Sequence, residues 1–286
     1  MTTTLVHTGA DLRAAYATRP TATRAVVMTM GALHEGHASL IRDARARVGS
    51  EGLVVVTDFV NPTQFAQGED FEAYPRTLDD DVRIADAAGA DLVLAPSATE
   101  VYGDGGGFRP DSVTVDPGPL GDILEGASRP GHFRGVLTVV AKLLGITAPD
   151  VALFGEKDYQ QLVLIRRMVA DLSMTVDVIG VETVREDDGL AMSSRNRYLS
   201  PQERATAAGI PLALAAAAAA GIDGPEAAIA AGEAILREDP AIELDYLVVT
   251  DPALGPAPTA GESRILVAAL VGSTRLIDNR PARMGA

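Results

Sequence analysis

The sequence predicts an α/β protein: a doubly wound parallel sheet followed by a smaller C-terminal α+β domain. Three observations lead there. Short apolar, β-branched runs alternate with helical periodicity in units of roughly 30 residues, the signature of parallel βαβ units. Near Arg185 the pattern changes, and beyond it helices come first and strands last. The stretch Met28–His37 joins an apolar run to a helix through a tight glycine turn, as at the ligand-binding carboxyl ends of open α/β sheets.

Val6–Arg19 has helical spacing, with Thr8 placed to cap it and Leu12, Ala15 and Tyr16 on one face. Ala25–Thr29 is the first predicted strand and Glu35–Val48 the helix after it. Leu53–Thr57 is a second strand, β-branched as a buried parallel strand requires, and it runs into the loop Asp58–Phe65. Residues 66–76 are polar and acidic, a candidate flap. Thr77 is expected to cap a helix whose first turn carries Asp79, Asp80 and Asp81. Asp91–Pro96 is the third strand. Gly103–Gly107 reads as a flexible turn, since it lacks the helix and lysine of a P-loop. Gly131–Gly135 leads into the buried helix Val136–Leu144. Val151–Phe154 is a fourth strand, Tyr159–Leu172 a helix and Thr175–Val184 a fifth strand region. Ser200–Glu203 then spells a capping box with proline at the first helical position. Two alanine-rich helices, broken at Gly221–Gly224, precede strands at Leu244–Thr250, Arg264–Leu270 and Thr274–Asp278, an expected antiparallel sheet.

With 286 residues, 47% hydrophobic and 22% charged, the chain can bury a sizeable core in one large or two ordinary domains. A net charge of −15 disfavours nucleic-acid binding, which needs a broad basic face; an anionic small molecule must be held in a locally positive pocket. The absence of cysteine removes disulfides and thiolate metal sites. The chain opens without a basic segment followed by an apolar core. Its longest uncharged run, Ala205–Ile222, is alanine-rich and interrupted by Gly209 and Pro211, so a soluble helix is predicted rather than a membrane span. A cytoplasmic protein is expected.

The scarce cations are informative. Lysine occurs only at Lys142 and Lys157, against twenty-two arginines, and Lys157 lies in Gly155-Glu156-Lys157-Asp158. A compact ammonium there suits phosphate. His34 and His37 stand three residues apart at a helix start, beside free backbone N–H groups and the positive end of the helix dipole, a natural place for a phosphate chain. A purely local capping role is the simpler alternative for either ring. Zinc is disfavoured: no cysteine or third histidine completes a site, and the spacing is not H-E-x-x-H. Ser193, Ser194 and Arg195 offer hydroxyls and a guanidinium fork to phosphate oxygens, from a loop that Gly189 allows to move. Asn61, Gln64, Gln160 and Gln161 are either surface amides or partners for a hydroxyl-bearing substrate. Asp79, Asp80 and Asp81 complement the helix dipole, and one of them can help hold Mg²⁺ with phosphate oxygens. These residues favour a nucleotidyl-transfer site.

Seven stretches together resemble the pantothenate synthetase (pantoate–β-alanine ligase) family. They are M-G-A-L-H-E-G-H (Met30–His37), F-V-N-P-T-Q-F (Phe59–Phe65), Y-P-R-T-L-D-D-D (Tyr74–Asp81), R-P-G-H-F-R-G-V (Arg129–Val136), L-F-G-E-K-D-Y-Q-Q (Leu153–Gln161), M-S-S-R-N (Met192–Asn196) and T-R-L-I-D-N (Thr274–Asn279). The chain is also similar to the wider HxGH nucleotidyltransferases, which include class I aminoacyl-tRNA synthetases; Met192–Asn196 takes the place of their second, mobile ATP motif. The resemblance implies a Rossmann-like nucleotidyltransferase sheet in residues 1–185, binding nucleotide and pantoate, with residues 186–286 as a lid.

It further implies two steps. ATP and pantoate give pantoyl adenylate and pyrophosphate, and β-alanine then displaces AMP to give pantothenate. Carried onto this chain, His34, Gly36 and His37 hold nucleotide and phosphates, Lys157 the α-phosphate, and Ser193, Ser194 and Arg195 the leaving pyrophosphate. Gly155 and Asp158 take the ribose, and Met30, Val184 and Met192 complete the ATP contacts. Gln64 and Gln161 bind pantoate hydroxyls, Met30, Val139, Val140 and Phe154 wall its dimethyl carbon, and Asp80 sits near Mg²⁺. A homodimer is implied by the family alone. Two departures stand out: Met28 where the family commonly has proline, and unusually alanine-rich C-terminal helices. The rival readings are another HxGH enzyme that leaves a stable nucleotidyl product, and a protein that binds ATP without turnover.

Overall fold

Strands apolar along their whole length pair in parallel, because only a sheet covered by helices hides both faces. The computed structural model describes residues 2–65 and 71–285 and divides into two compact units, residues 1–155 with 164–181 and residues 156–163 with 182–286. The first contains, in chain order, β1 (Thr4–Val6), α1 (Gly9–Tyr16), β2 (Arg24–Thr29), α2 (Glu35–Val48), β3 (Leu53–Asp58), α3 (Leu78–Ala88), β4 (Leu92–Leu94), α4 (Ala98–Tyr102), α5 (Glu125–Ser128), α6 (His132–Thr147) and β5 (Val151–Gly155). Helix α7 (Tyr159–Asp171), which belongs to this unit from Leu164 onward, and strand β6 (Asp177–Val181) follow. The six strands form one parallel sheet in the order β1-β4-β3-β2-β5-β6. Strand order reverses between β2 and β5, which marks their carboxyl ends as the place where such a sheet receives ligand.

Ala25, Val27, Val54, Val56 and Leu153 from the central strands pack with Leu40, Ile41 and Ala44 of α2 and Ala85 of α3. Burying each large aliphatic side chain is worth roughly 1.5–3 kcal/mol. That core fixes the strand ends from which the functional turns leave.

The second unit holds α8 (Pro201–Ala207), α9 (Gly209–Ala220), α10 (Pro225–Leu236) and an antiparallel sheet β7 (Ile242–Thr250), β8 (Gly261–Val271) and β9 (Thr274–Met284), in the order β7-β8-β9. Its core joins Ile210, Ala213, Leu214 and Ala217 of α9 to Ile265, Val267 and Ala269 of β8. Residues Pro201–Asp223 are long and apolar enough, by length and composition alone, to cross a membrane, yet this side of α9 is core.

Three local expectations need correction. Val6–Arg19 is not one helix: Thr4–Val6 pairs with Leu92–Leu94 as an edge strand, and the helix begins at Gly9. Thr8 does cap it, accepting the Asp11 N–H. Thr77 precedes α3, but its hydroxyl donates to Asp81 Oδ2 (3.1 Å) and caps no backbone group. The alanine-rich helices do part at Gly221–Gly224 as expected, while α8 runs into α9 through Ala208, whose dihedrals stay helical (φ −61°, ψ −15°). The last two strands are longer than expected, continuing to Val271 and Met284. Of the flap, residues 66–70 lie outside the described residues, and residues 71–74 form a turn.

Candidate active site

The turn that leaves β2 is held by an acid. Gly31 (φ 77°) and Ala32 (φ 50°) adopt left-handed conformations in succession, which turns the N–H groups of Ala32 and Leu33 onto Asp81 Oδ2 (3.0 Å) and Oδ1 (2.7 Å). A Cβ at Gly31 would stand 2.5 Å from Asp58 Oδ1 and 3.2 Å from Asp81 Oδ2, so only glycine fits over the two carboxyls. Burial, the Asp81 charge beside it and a hydrogen bond to Asp81 push Asp58 up to about 7. Near neutral pH Asp58 therefore still holds a proton for part of the time. Asp58 Oδ2 has no hydrogen-bond partner among the described residues.

Beyond this turn the two imidazoles make a reciprocal cap on α2. The His34 Nδ1 accepts the Gly36 N–H and the His37 Nδ1 accepts the His34 N–H, both at 3.2 Å, with ring centroids 4.1 Å apart. An accepting Nδ1 carries a lone pair, so in each neutral ring the proton belongs to Nε2. Capping and phosphate binding are thus compatible roles, using opposite edges of the same rings.

A second cluster lies after β3. Asn61 and Gln64 are buried, with Asn61 Nδ2 donating to Gln64 Oε1 (2.9 Å). Gln64 Nε2 reaches Met30 Sδ at 2.9 Å, bringing those two expected pantoate residues together. Tyr102 donates to Asn61 Oδ1 (2.6 Å). From α6, His132 Nδ1 bonds the Gln64 carbonyl (2.9 Å) while its Nε2 meets an Arg129 guanidinium N–H (3.1 Å), which assigns the Nδ1–H form. Gly135 lets α6 approach this turn, since a Cβ there would fall 2.3 Å from the Thr63 carbonyl oxygen. Val139 and Val140 of α6 and Phe154 of β5 are buried.

In the second unit, Lys157 lies in a helical turn at Glu156–Asp158, its side chain 19% exposed and its ammonium 4.0 Å from Asp158 Oδ1. Gln161 and Val184 are half-buried. Met192–Arg195 leaves a small hairpin made by the Arg185–Ala191 bridge and the Met192 N–H bond to Val184 O (2.9 Å). Ser193 caps the next turn by accepting the Arg195 N–H (3.2 Å).

Within the first unit the structure brings together His34 with His37, and Met30 with Gln64. Gly36 lies in the first turn of α2 and Gly155 ends β5. Asp80 stands elsewhere: it is exposed on α3 and ion-paired with Arg83, while its neighbour Asp81 turns inward to the histidine-bearing turn. Sequence reasoning assigned no role to Asp58, His132, Arg264, Asp278 or Asn279. His132, Asp278 and Asn279 stood in quoted motifs; Asp58 and Arg264 carried no local signal, because the side chains they meet, Asp81, Asn279 and Glu156, are far along the chain.

A family described as Pantoate-beta-alanine ligase matches residues 4–281 of the chain. The chain belongs to the pantoate–β-alanine ligase family. A relative from a Nocardioides species, described as a pantothenate synthetase, is 59% identical over 267 residues, covering 91% of this chain and 79% of the relative. The solved pantothenate synthetase of Thermus thermophilus superposes with a TM-score of 0.88 at 47% identity, over 98% of this chain and 99% of that one. The pantoate–β-alanine ligase of Francisella tularensis, solved in complex with beta-gamma ATP and β-alanine, gives a TM-score of 0.77 at 33% identity, over 97% of each chain. Membership of the pantoate–β-alanine ligase family makes the chain an ATP-dependent carbon–nitrogen ligase. It condenses pantoate with β-alanine to pantothenate through pantoyl adenylate, releasing pyrophosphate and then AMP.

Proposed function

We propose that the HxGH turn, the Lys157 turn and the Ser193–Arg195 turn supply the charge stabilisation for adenylate formation. The reciprocal cap carries this reading: with both Nδ1 atoms accepting backbone N–H groups, His34 and His37 carry their Nε2–H donors on the edge opposite the backbone, where phosphate oxygens can take them. The pantoate carboxylate attacks the α-phosphorus and pyrophosphate leaves, so negative charge grows on the leaving group. Fixed donors and a point charge suffice for such a step, without a covalent enzyme intermediate. Lys157 neutralises the α-phosphate, and Ser193, Ser194 and Arg195 take the pyrophosphate oxygens. Gly36, Met30, Val184 and Met192 complete the nucleotide contacts, with Gly155 and Asp158 on the ribose. Gln64 and Gln161 hold the pantoate hydroxyls against Met30, Val139, Val140 and Phe154. The support for Gln64 is its burial and its fixed partners Asn61 and Met30.

Mg²⁺ accompanies the nucleotide in this reading. Among the described residues no three His, Asp or Glu side chains form a ready-made metal cage. That suits Mg²⁺, which is commonly held by one or two carboxylates with phosphate oxygens and water. Asp80, exposed on α3, would serve as such a carboxylate by leaving Arg83. The family resemblance also supports a homodimer in the cytoplasm.

The deciding experiment is ATP–pyrophosphate exchange. Exchange should require pantoate, and AMP release should require β-alanine as well. Lys157→Ala and His37→Ala should each lower exchange by about 100-fold or more while the chain stays folded. Near-normal exchange in both variants would overturn the assigned roles.

A further inference from the structure

The closing Thr274–Asn279 motif receives no role from the chemistry above, yet its last two residues are buried, Asp278 and Asn279 each 3% exposed. Asn279 donates both amide hydrogens to the Lys157 turn, to Glu156 O (2.9 Å) and Lys157 O (2.8 Å). Its Oδ1 accepts from Arg264 Nε (2.7 Å) on the neighbouring strand. Arg264, itself 6% exposed, also donates to Glu156 Oε2 (3.0 Å) and stacks on the Tyr159 ring at 4.0 Å. Tyr159 is anchored in turn through its hydroxyl to Pro252 O (3.0 Å). Arg264 thus meets an amide oxygen, a carboxylate and an aromatic face at once, and through Glu156 it braces the same turn that Asn279 holds.

Asp278 faces the other way. It takes Arg185 bidentately, Oδ2 from NH1 at 2.7 Å and Oδ1 from NH2 at 3.1 Å. Arg185 also donates to Gly189 O (3.0 Å) across the hairpin whose far strand leads into Met192–Arg195. Two adjacent residues of β9 therefore grip the roots of both segments, one through backbone carbonyls and one through an ion pair.

We propose that Asp278 and Asn279 are positioning residues for the ligase reaction, setting the register between the Lys157 turn and the Ser193–Arg195 turn from a single strand. The inference rests on the assignment of those turns to the phosphates. Neither residue touches substrate. Each acts by holding the origin of a side chain that does, where a misplacement of about 1 Å can cost two orders of magnitude.

The test is a pair of double-mutant comparisons, read as pantoate-dependent pyrophosphate exchange at saturating ATP and pantoate, beside thermal unfolding. Asn279→Asp keeps the shape but sets a carboxylate against two carbonyl oxygens. It should lower the maximal exchange rate by about 10- to 100-fold with a smaller change in the KM for ATP. In a Lys157→Ala background the same substitution should change the rate by no more than about twofold, because the side chain it positions is gone. Asp278→Asn should behave likewise against Arg195→Ala. Losses that multiply in the double variants, or a folded Asn279→Asp with wild-type rate, overturn the proposal. If Asn279→Asp does not fold, Asn279→Ser and Arg264→Lys carry the same comparison; failure of all three to fold makes the network a folding determinant and also overturns it. A wild-type chain without pantoate-dependent exchange, or a Lys157→Ala variant at full rate, instead removes the phosphate assignment on which the proposal stands.

Discussion

The carboxyl of Asp58, at the end of β3, lies against that of Asp81 in the first turn of α3, directly beneath Gly31. Asp81 commits its lone pairs to the Ala32 and Leu33 N–H groups and the Thr77 hydroxyl, so Asp58 is the partner that keeps the proton. An acid raised to about 7 binds a proton that the unfolded chain has already lost above about pH 4. Stability from this pair is thus complete at low pH, declines as pH rises from about 4 to 7, and is level above that. Asp58→Asn keeps a donor toward Asp81 without the titration. Urea unfolding should show the variant more stable than wild type at pH 8, by on the order of 1–2 kcal/mol once solvent screening of a partly buried group is allowed for, with the difference vanishing near pH 4. An unchanged slope between these pH values would refute the raised Asp58 carboxyl.

His34 can be divided into its two functions. His34→Asn retains a side-chain acceptor for the Gly36 N–H and loses Nε2–H, whereas His34→Ala loses both. Unfolding free energies should place the asparagine variant within about 0.5 kcal/mol of wild type and the alanine variant about 1 kcal/mol below it. Pyrophosphate exchange should fall in both, by about 100-fold. An asparagine variant with full exchange would leave His34 a cap and nothing more.

Gly135→Ala tests the approach of α6 to the Asn61–Gln64 turn. The new methyl would meet the Thr63 carbonyl oxygen at 2.3 Å, so the turn must move and Gln64 with it. Steady-state kinetics should show the pantoate KM raised roughly tenfold with the ATP KM little changed, together with about 1–3 kcal/mol of lost stability. Equal effects on both substrates would detach Gln64 from pantoate.

Ser200→Ala probes the capping box of α8, in which Ser200 Oγ accepts the Glu203 N–H (3.3 Å) and Glu203 Oε2 the Ser200 N–H (2.8 Å). Chemical denaturation should register a loss of about 1 kcal/mol. Exchange activity should stay at the wild-type level.

Much of this was legible in the sequence because it is local. A strand, a glycine turn and a capped helix follow one another between Ala25 and Val48, and the helix bounds Glu35–Val48 are those expected. The Ser200 capping box and the antiparallel C-terminal sheet were equally readable. Thr4–Val6 was missed because a three-residue edge strand has too little pattern, and only its pairing with β4, nearly ninety positions away, defines it. Among the three consecutive aspartates, composition could not say that Asp81 alone turns inward; helix phase and the reach of the β2 turn decide that. Asn279 lies 122 positions from the Lys157 carbonyl it holds, and no periodicity encodes such a partner.

The four histidines divide by which ring nitrogen faces a backbone donor and which a carbonyl. His7 Nδ1 meets Ala95 O (2.9 Å) and His132 Nδ1 meets Gln64 O (2.9 Å), whereas the Nδ1 atoms of His34 and His37 accept N–H groups. Nitrogen-15 resonances of the neutral rings should therefore fall into two pairs of opposite tautomer, an assignment made simple by a total of four. Only one pair stands at the proposed nucleotide contact. Titrating in ATP should move those resonances and leave the other two in place, giving a readout of occupancy that needs neither turnover nor a label.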